Sequence, residues 1–225
     1  MPKSPNTLII GDRHAPFTRR NYLDFCVETS RKFNCTQIVD IGDGVDQHAI
    51  SYHEKDPDGL AAGRELKKAR KVLAPWFKAF PKAKSCIGNH DALIHRKAYS
   101  AGLPREFLRS FADIYEAPPG WEFDFEFDFG NWRAIHGTGN SGPNAAFNAA
   151  VSARQSTACG HVHAVAGVRY HACNKDLLWG LNVGCGIDRK SYAFAYGKDF
   201  KDKPIIGCGV VLEGGTLPIF IPMPS

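Results

Sequence analysis

Five segments of the sequence present carboxylate, amide or imidazole side chains directly after short apolar runs. Oxygen and nitrogen donors without a thiolate motif suit manganese, iron(II) or zinc. The set therefore has the donor types of a metal site. In chain order the segments are Gly11-Asp12-Arg13-His14, Gly42-Asp43-Gly44-Val45-Asp46, Gly88-Asn89-His90-Asp91, Ala134-Ile135-His136-Gly137 and Cys159-Gly160-His161-Val162-His163.

Each segment taken alone also has an ordinary structural explanation. A single histidine after a strand is more often hydrogen-bonded within the core than bound to a metal, and Asn-His-Asp is a sequence that forms Asx turns. Five such segments in succession are harder to explain in this way. In the last of them, two histidines separated by one residue point to the same side of an extended backbone. The combination favours a functional site.

The elements that must position these side chains alternate between strand and helix patterns over the first ninety residues. A βαβαβ order favours a parallel sheet with right-handed crossovers. Since ligands bind outside the carboxyl ends of the strands in such sheets, we expect the first three segments to meet at one edge. Strands are predicted at 6–10, 37–41 and 84–87, with helices at 20–33 and within 60–84.

The second half of the chain consists mostly of short strands between glycine turns. Residues 122–130 alternate acids with phenylalanines, as a half-buried strand does. We expect these phenylalanines to form one packed sheet face, and the alternative is a platform on which nucleic-acid bases stack. They are Phe123, Phe125, Phe127 and Phe129. Helices are predicted at 91–99, 104–114 and 143–153.

Composition is that of an ordinary globular protein, with 44% hydrophobic and 23% charged residues. No apolar run approaches the roughly 20 residues of a membrane span, and the N-terminus lacks the apolar region of a secretory signal. The seven cysteines form no C-x-x-C pair, which predicts mostly buried thiols in a reducing cytosol. No linker divides the chain, so residues 1–225 are predicted to form one domain.

Positive charge is concentrated in a segment at about 48–82, where apolar residues recur at helical spacing. From Leu60 to Lys84 there are eight basic residues and one acid, Glu65. The pattern predicts an amphipathic helix with a cationic outer face. Such a face is either simply solvated or an electrostatic guide for a polyanionic substrate.

The order of the motifs resembles the calcineurin-like metallophosphoesterase superfamily, whose pattern is D-x-H, G-D-x-x-D, G-N-H-[D/E], a later His and G-H-x-H. The match runs from Asp12 to His163, and the layout is similar to phage- or prophage-encoded members. The resemblance implies an α/β fold, a four-layer αββα sandwich of two mixed sheets flanked by helices. It also implies a dinuclear metal site at the carboxyl ends of the strands and a location in the bacterial or phage-infected cytoplasm.

The resemblance further implies how the site is divided. Two divalent metal ions would activate a bridging hydroxide for in-line attack on phosphorus. Mn²⁺ is the favoured metal, and Fe²⁺, Zn²⁺ or Ni²⁺ are the alternatives. His90 would act as proton donor to the leaving group, or stabilise its charge. The implied ligands are Asp12, His14, Asp43 and His163 for one ion, and Asp43, Asn89, His136 and His161 for the other.

Several nearby residues are candidates for supporting roles. Asp46 and Asp91 are expected to orient imidazoles through their ring N–H groups, and capping of the next helix is the alternative for Asp91. Candidates for contact with a substrate phosphate are Arg13, His48, His95 and Arg96. A structural salt bridge is equally expected for Arg13, and a surface position is the favoured expectation for His48.

The motif details favour one branch of the superfamily. Its protein phosphatases extend the second motif to G-D-x-V-D-R-G and use G-N-H-E, whereas this chain has Gln47-His48 and Asp91 at those positions. A phosphodiesterase or nuclease acting on DNA, RNA or another phosphodiester is therefore expected. A phosphomonoesterase or a nucleotide or cyclic-nucleotide hydrolase is the alternative. A catalytically silent, metal-stabilised binding module is least favoured, because every expected ligand is present.

Overall fold

The computed structural model describes residues 5–53, 55–191 and 202–224. Its strands, in chain order, are β1 (Asn6–Ile10), β2 (Cys35–Asp40), β3 (Ala83–Cys86), β4 (Trp121–Asp124), β5 (Glu126–Asp128), β6 (Trp132–Ile135), β7 (Ser156–Cys159), β8 (Ala166–Ala172), β9 (Leu177–Val183), β10 (Gly207–Leu212) and β11 (Leu217–Pro222). The α-helices are α1 (Tyr22–Lys32), α2 (Ala62–Ala79), α3 (Leu93–Ser100), α4 (Phe111–Tyr115) and α5 (Ala145–Ala153). Short 3₁₀ turns occupy His48–Ile50, Arg105–Phe107 and Glu213–Gly215.

The strands form two mixed sheets, ordered β11-β10-β1-β2-β3-β4 and β5-β6-β7-β9-β8. Strands β1 to β4 are parallel to one another, and so are β6, β7 and β9. The parallel order predicted for the first three strands is therefore confirmed. Their carboxyl ends lie at one edge of the first sheet.

Alternating side chains of β1 show how the layers are held together. Ile9 points into the cluster between the two sheets, where it joins Leu181 of β9. Leu8 and Ile10 point the other way, into a cluster with Tyr22 of α1 and residues of α2. Helix α5 covers the outer face of the second sheet. The structure is thus the expected four-layer αββα sandwich.

The strand predicted over 122–130 is divided between the two sheets. β4 pairs with β3 of the first sheet, and β5 pairs with β6 of the second. Phe127 is buried between the sheets, whereas Phe125, at the crossing point, is 63% exposed. The prediction of one packed phenylalanine face was wrong, because the chain changes sheets in the middle of the alternating pattern.

The helix predicted over 104–114 is also interrupted. The structure has a 3₁₀ turn at Arg105–Phe107 and then the separate helix α4. Ser110 has extended backbone, and its hydroxyl accepts a hydrogen bond from the Asp113 N–H at 3.1 Å. A new helix therefore starts at a serine N-cap instead of continuing an earlier one.

The basic segment forms helix α2, and its predicted amphipathic character is confirmed. Ala69, Leu73 and Trp76 are buried at helical spacing, while the lysines of the helix, Lys67, Lys68, Lys71 and Lys78, are exposed. Glu65 is buried as well, because its carboxylate accepts hydrogen bonds from the N–H groups of His48 and Ala49 at 2.7 and 2.8 Å. The single acid of the segment thus attaches the helix to the turn after the second motif.

All seven cysteines are free, and five of them are buried, as predicted. Of the helices in the described part of the chain, none has the length and apolar character needed to cross a membrane.

Candidate metal centre

The loops that follow β1, β2, β3, β6 and β7 bring all seven implied metal ligands to one place at the edges of the two sheets. Three overlapping groups have potential ligand atoms within 4.8 Å of one another. They are Asp12, His14 and His163; Asp43, His136 and His161; and His14, Asp43 and His90.

Asp43 lies between the two implied halves of the site. Its Oδ2 is 3.6 Å from His14 Nε2 and 3.2 Å from His136 Nε2. On one side Asp12 Oδ2 lies 2.9 Å from His163 Nε2, and on the other Asn89 Oδ1 is 3.0 Å from His136 Nε2. This is the position that a carboxylate shared by two ions requires.

Three of these residues have left-handed backbone conformations, which are costly for residues other than glycine. The φ angles are 47° at His14, 47° at Asp43 and 66° at His161. Such strain persists only where surrounding structure imposes it, and it concentrates at functional sites. In each case the chain turns sharply after a strand, so that the side chain points toward the other ligands.

Two motif glycines allow the loops to approach the carboxylates closely. A Cβ atom at Gly88 would overlap Asp43 Oδ1, and one at Gly160 would overlap Asp12 Oδ1. The backbone N–H groups of the following loops contact the same carboxylates. The His90 N–H donates to Asp43 Oδ1, and the His161 N–H donates to Asp12 Oδ2, both at 2.8 Å.

The hydrogen bonds of His136 require positive charge at the centre, on the ring itself or on a bound ion. Its Nδ1 lies 3.1 Å from the Ile41 carbonyl oxygen, which can only accept, so Nδ1 carries a hydrogen. Its Nε2 then faces two further acceptor oxygens, from Asp43 and Asn89. Only a second proton or a bound cation can reconcile three acceptors around one imidazole.

The electrostatics of these side chains lead to the same conclusion. Burial by itself lowers the pKa of His136, but the carboxylates of Asp43 and Asp12 outweigh it and raise that pKa to about 10. Five buried aspartates and a single buried arginine occur among the described residues. Asp12 Oδ1 is buried and has no hydrogen-bond partner within the described structure. Buried anions need compensation, so the donor set fits divalent cations.

Asp46 lies behind two of the imidazoles. Its Oδ1 is 2.6 Å from His14 Nδ1, which leaves His14 Nε2 directed at Asp43. Its carbonyl oxygen accepts a hydrogen bond from His90 Nδ1 at 2.5 Å. This is the arrangement in which a carboxylate fixes the tautomer and orientation of a ligating histidine.

The position of His90 is compatible with two roles, that of a metal ligand and that of a proton donor. It forms a ligand-like group with His14 and Asp43, and its ring lies edge-on to that of His14, with centroids 4.6 Å apart. Burial opposes its protonation, but the carboxylates of Asp43 and Asp46 outweigh burial and raise its pKa. Its side chain is 17% exposed, unlike the nearly inaccessible carboxylates.

Asp91 has a different role from both that were expected. Its Oδ2 accepts from the Gly88 N–H and its Oδ1 from the Tyr115 hydroxyl, both at 2.9 Å. Neither an imidazole nor a helix N-terminus is among these partners, and α3 begins after Ala92 without a side-chain cap. Burial and then Asp43 raise the pKa of Asp91 to about 6. Asp91 therefore braces the loop that approaches Asp43.

The structure places Arg13 in the salt bridge that was the alternative to a phosphate contact. Its guanidinium is buried and pairs with Asp40 Oδ2 at 2.7 Å. It also lies over the rings of Trp76 and Trp121, 5.1 and 5.5 Å from their centroids. The motif places the residue next to Asp12, but its side chain points into the core.

The remaining phosphate candidates divide into two kinds. His48 is buried, with 6% exposure, so its expected surface position was wrong. His95 and Arg96 line a groove that begins at Gly88 and Asn89.

Sequence reasoning missed Gln47, whose side-chain amide donates to the carbonyl oxygens of His90 and Asp91. It also missed the groove, since nothing in the sequence indicated which distant residues would line it.

Comparisons with known proteins give weak structural likenesses. No family model matches the sequence, and no curated protein matches it. The chain is similar to a solved metallophosphoesterase from Sphaerobacter thermophilus, with 17% identity, a TM-score of 0.49, and 99% of this chain and 89% of that chain covered. It is similar to a novel archaeal phosphodiesterase, with 14% identity, a TM-score of 0.47, and 97% of this chain and 99% of that chain covered. It is also similar to vacuolar protein sorting 29 from Cryptosporidium parvum, with 12% identity, a TM-score of 0.48, and 92% of this chain and 84% of that chain covered. These values are low, so the functional proposal rests on the residues of this chain.

Proposed function

We propose that the chain is a divalent-metal-dependent phosphodiesterase of the calcineurin-like metallophosphoesterase type. The observation that carries the proposal is the position of Asp43 between two groups of imidazole, carboxylate and amide ligands. Asp12, His14, Asp43 and His163 would hold one ion, and Asp43, Asn89, His136 and His161 the other. When bound, two such ions, Mn²⁺ in our proposal, provide Lewis acidity and activate water at neutral pH.

The substrate would approach from the exposed side of the centre. The side chains of His90 and His163 are 17% and 24% exposed, whereas those of Asp12 and Asp43 are 0% and 2% exposed. A phosphate entering from this side meets the imidazoles first. The carboxylates remain shielded behind them, where water does not weaken their interaction with bound cations.

We propose that His90 holds a proton for the leaving group. The Asp46 carbonyl fixes its Nδ1–H, which leaves Nε2 as the nitrogen available for proton transfer. The ring is partly exposed on the approach side. A positioned histidine of this kind contributes roughly 10²–10⁴-fold to a hydrolysis rate.

Two features favour a diester over a monoester. A phosphate monoester carries more negative charge, which a guanidinium commonly binds in bidentate fashion, but the motif arginine, Arg13, is directed at Asp40 instead. The groove beside Asn89 also provides space for a second substituent on phosphorus. A nucleotide or cyclic-nucleotide hydrolase is the second candidate, because the same groove would hold a single nucleotide.

The test is hydrolysis of bis(p-nitrophenyl) phosphate and of p-nitrophenyl phosphate by the chelator-treated protein after addition of Mn²⁺. We expect Mn²⁺-dependent activity that is higher on the diester. A preference for the monoester would refute the diesterase proposal. Loss of all activity with every divalent metal would favour the catalytically silent binding module. The Asp43→Asn variant serves as the control for contaminating phosphatases.

A further inference from the structure

A large groove begins at the metal centre and runs along α3. Its volume is about 1080 Å³, which is at or above the upper end of ordinary small-molecule sites, roughly 300–1,000 Å³. Gly88 and Asn89 form one end of it, so a substituent on a phosphate bound at the centre would enter it directly. The remaining walls come from α3, from 103–111, and from three single residues of separate loops, Tyr52, Phe125 and Thr138.

The walls of this groove contain exposed aromatic rings. Tyr99 is 84% exposed, Phe125 is 63% exposed and Tyr52 is 56% exposed. Aromatic side chains of this size are usually largely buried, because they lose much free energy in water. Three of them exposed in one groove beside a metal centre indicate a ligand with flat, π-rich groups.

Cationic side chains occur among the same walls. Arg96 and Arg105 both line the groove. The Arg96 guanidinium lies over the Tyr52 ring at 5.1 Å from its centroid, and Lys97 Nζ lies over the same ring at 3.8 Å. These cation–π contacts hold positive charge at the rim. The ligand that fits is therefore both aromatic and anionic.

The floor of the groove is fixed by packing. The ring of His95 stacks on Phe111 with centroids 4.5 Å apart and an interplanar angle of 23°. Phe111 is buried and belongs to the cluster that also contains Ile87, directly before the third motif. The floor is thus rigidly connected to the loop that carries Asn89 and His90.

We infer that the groove binds unpaired nucleotides of a single-stranded nucleic acid whose phosphodiester lies at the metal centre. Bases stack on Tyr99 and Phe125, and Arg96 and Arg105 bind flanking phosphates. This inference rests on the proposed phosphodiesterase function and specifies its substrate class. Stacking on exposed aromatic rings requires unpaired bases, which a duplex does not offer.

Binding without turnover tests the inference. A fluorescein-labelled oligothymidylate is titrated with the full Mn²⁺-loaded chain, over times at which a denaturing gel shows no cleavage, and anisotropy gives the dissociation constant. The Tyr99→Ala/Phe125→Ala variant is expected to raise that constant about tenfold or more. An abasic oligonucleotide of the same length, which retains the phosphates, should bind the wild-type chain correspondingly more weakly than oligothymidylate does.

The matched control is Tyr170→Ala, which removes a ring that is 50% exposed on β8, outside the groove. It should leave the dissociation constant unchanged. The conservative variant Tyr99→Phe/Phe125→Trp should retain wild-type affinity, which distinguishes a lost ring from a misfolded chain. A second variant, Arg96→Gln/Arg105→Gln, should weaken the dependence of the dissociation constant on salt concentration. The number of phosphate contacts inferred from that dependence should fall by about one per removed charge.

Several results would overturn the inference. They are an unchanged dissociation constant for the double alanine variant, equal affinity for the abasic strand, and equal affinity for a duplex. Failure here is distinguishable from failure of the proposed function. A chain that hydrolyses bis(p-nitrophenyl) phosphate but binds no oligothymidylate is a phosphodiesterase for other diesters. A chain that binds oligothymidylate through these rings without hydrolysing any diester would retain the groove and lose the catalysis.

Discussion

The metal centre and the groove beside it are built in opposite ways. The centre is buried, strained and polar, and its ligands come from loops directly after strands, where three of them have positive φ angles. The groove is open and aromatic. Its exposed rings are those of Tyr99 on α3 and of Tyr52 and Phe125 on two loops. They meet at Asn89, which contributes to both.

This difference indicates a division of labour. The proposed hydrolysis would need groups held in fixed geometry, which the ends of two packed sheets provide at the cost of local backbone strain. Selection among the proposed phosphodiester substrates would need an accessible surface, which surface loops and one helix provide. Changes in the centre should therefore abolish turnover on every substrate, whereas changes in the groove should alter which substrate binds.

The largest effect is expected for Asp43→Asn. Losing the carboxylate between the two groups of ligands should remove bound metal and lower the hydrolysis of bis(p-nitrophenyl) phosphate by about 10³-fold or more. Asp24→Asn, at an exposed position on α1, is the matched control and should behave as wild type. Retention of full activity by Asp43→Asn would show that the chemistry takes place elsewhere.

The His90→Ala variant tests whether His90 takes part in proton transfer or binds a metal ion. We expect the turnover number to fall roughly 10²–10⁴-fold, while metal content measured by mass spectrometry remains that of the wild type. If the variant loses a metal ion, His90 belongs to the ligand group with His14 and Asp43 and not to proton transfer.

Arg13→Met tests whether the motif arginine supports the fold beneath the centre. Removing one partner of a buried ion pair leaves the other charge uncompensated, so the free energy of unfolding should fall by about 3–5 kcal/mol. Denaturant unfolding measures it. Adding Asp40→Leu should recover part of the loss, because the orphaned carboxylate is then gone. A stable Arg13→Met chain with impaired substrate binding would return Arg13 to the phosphate-contacting role.

The smallest effect is expected for charge reversal on the basic helix, in the variant Lys67→Glu/Lys68→Glu/Lys71→Glu. These lysines are exposed on α2, and the groove is lined by residues of other elements. They should act on oligothymidylate only at long range, with about a twofold change at low salt that disappears at high salt. A change larger than that of the groove variants would make α2 the principal nucleic-acid surface.

The sequence predicted the centre better than its surroundings, for physical reasons. The ligands lie one to four residues beyond apolar strands. Parallel strands bring their carboxyl ends to one edge, so local pattern and topology sufficed. The partners of Arg13 and Asp91 depend on side chains from other elements, which no local pattern records. The position of Phe125 depends on the chain changing sheets, and its alternating sequence is the same on either side of that crossing.

Metal content tests the central conclusion most directly, because it does not depend on the choice of substrate. The chelator-treated chain is dialysed against Mn²⁺, passed through a desalting column and analysed by mass spectrometry, alongside Asp43→Asn. We predict about two Mn²⁺ ions per wild-type chain, as a shared-carboxylate site requires, and a loss of bound metal in the variant. A wild-type chain that retains no divalent metal, or an Asp43→Asn chain that retains as much as the wild type, would contradict a metal centre built on Asp43.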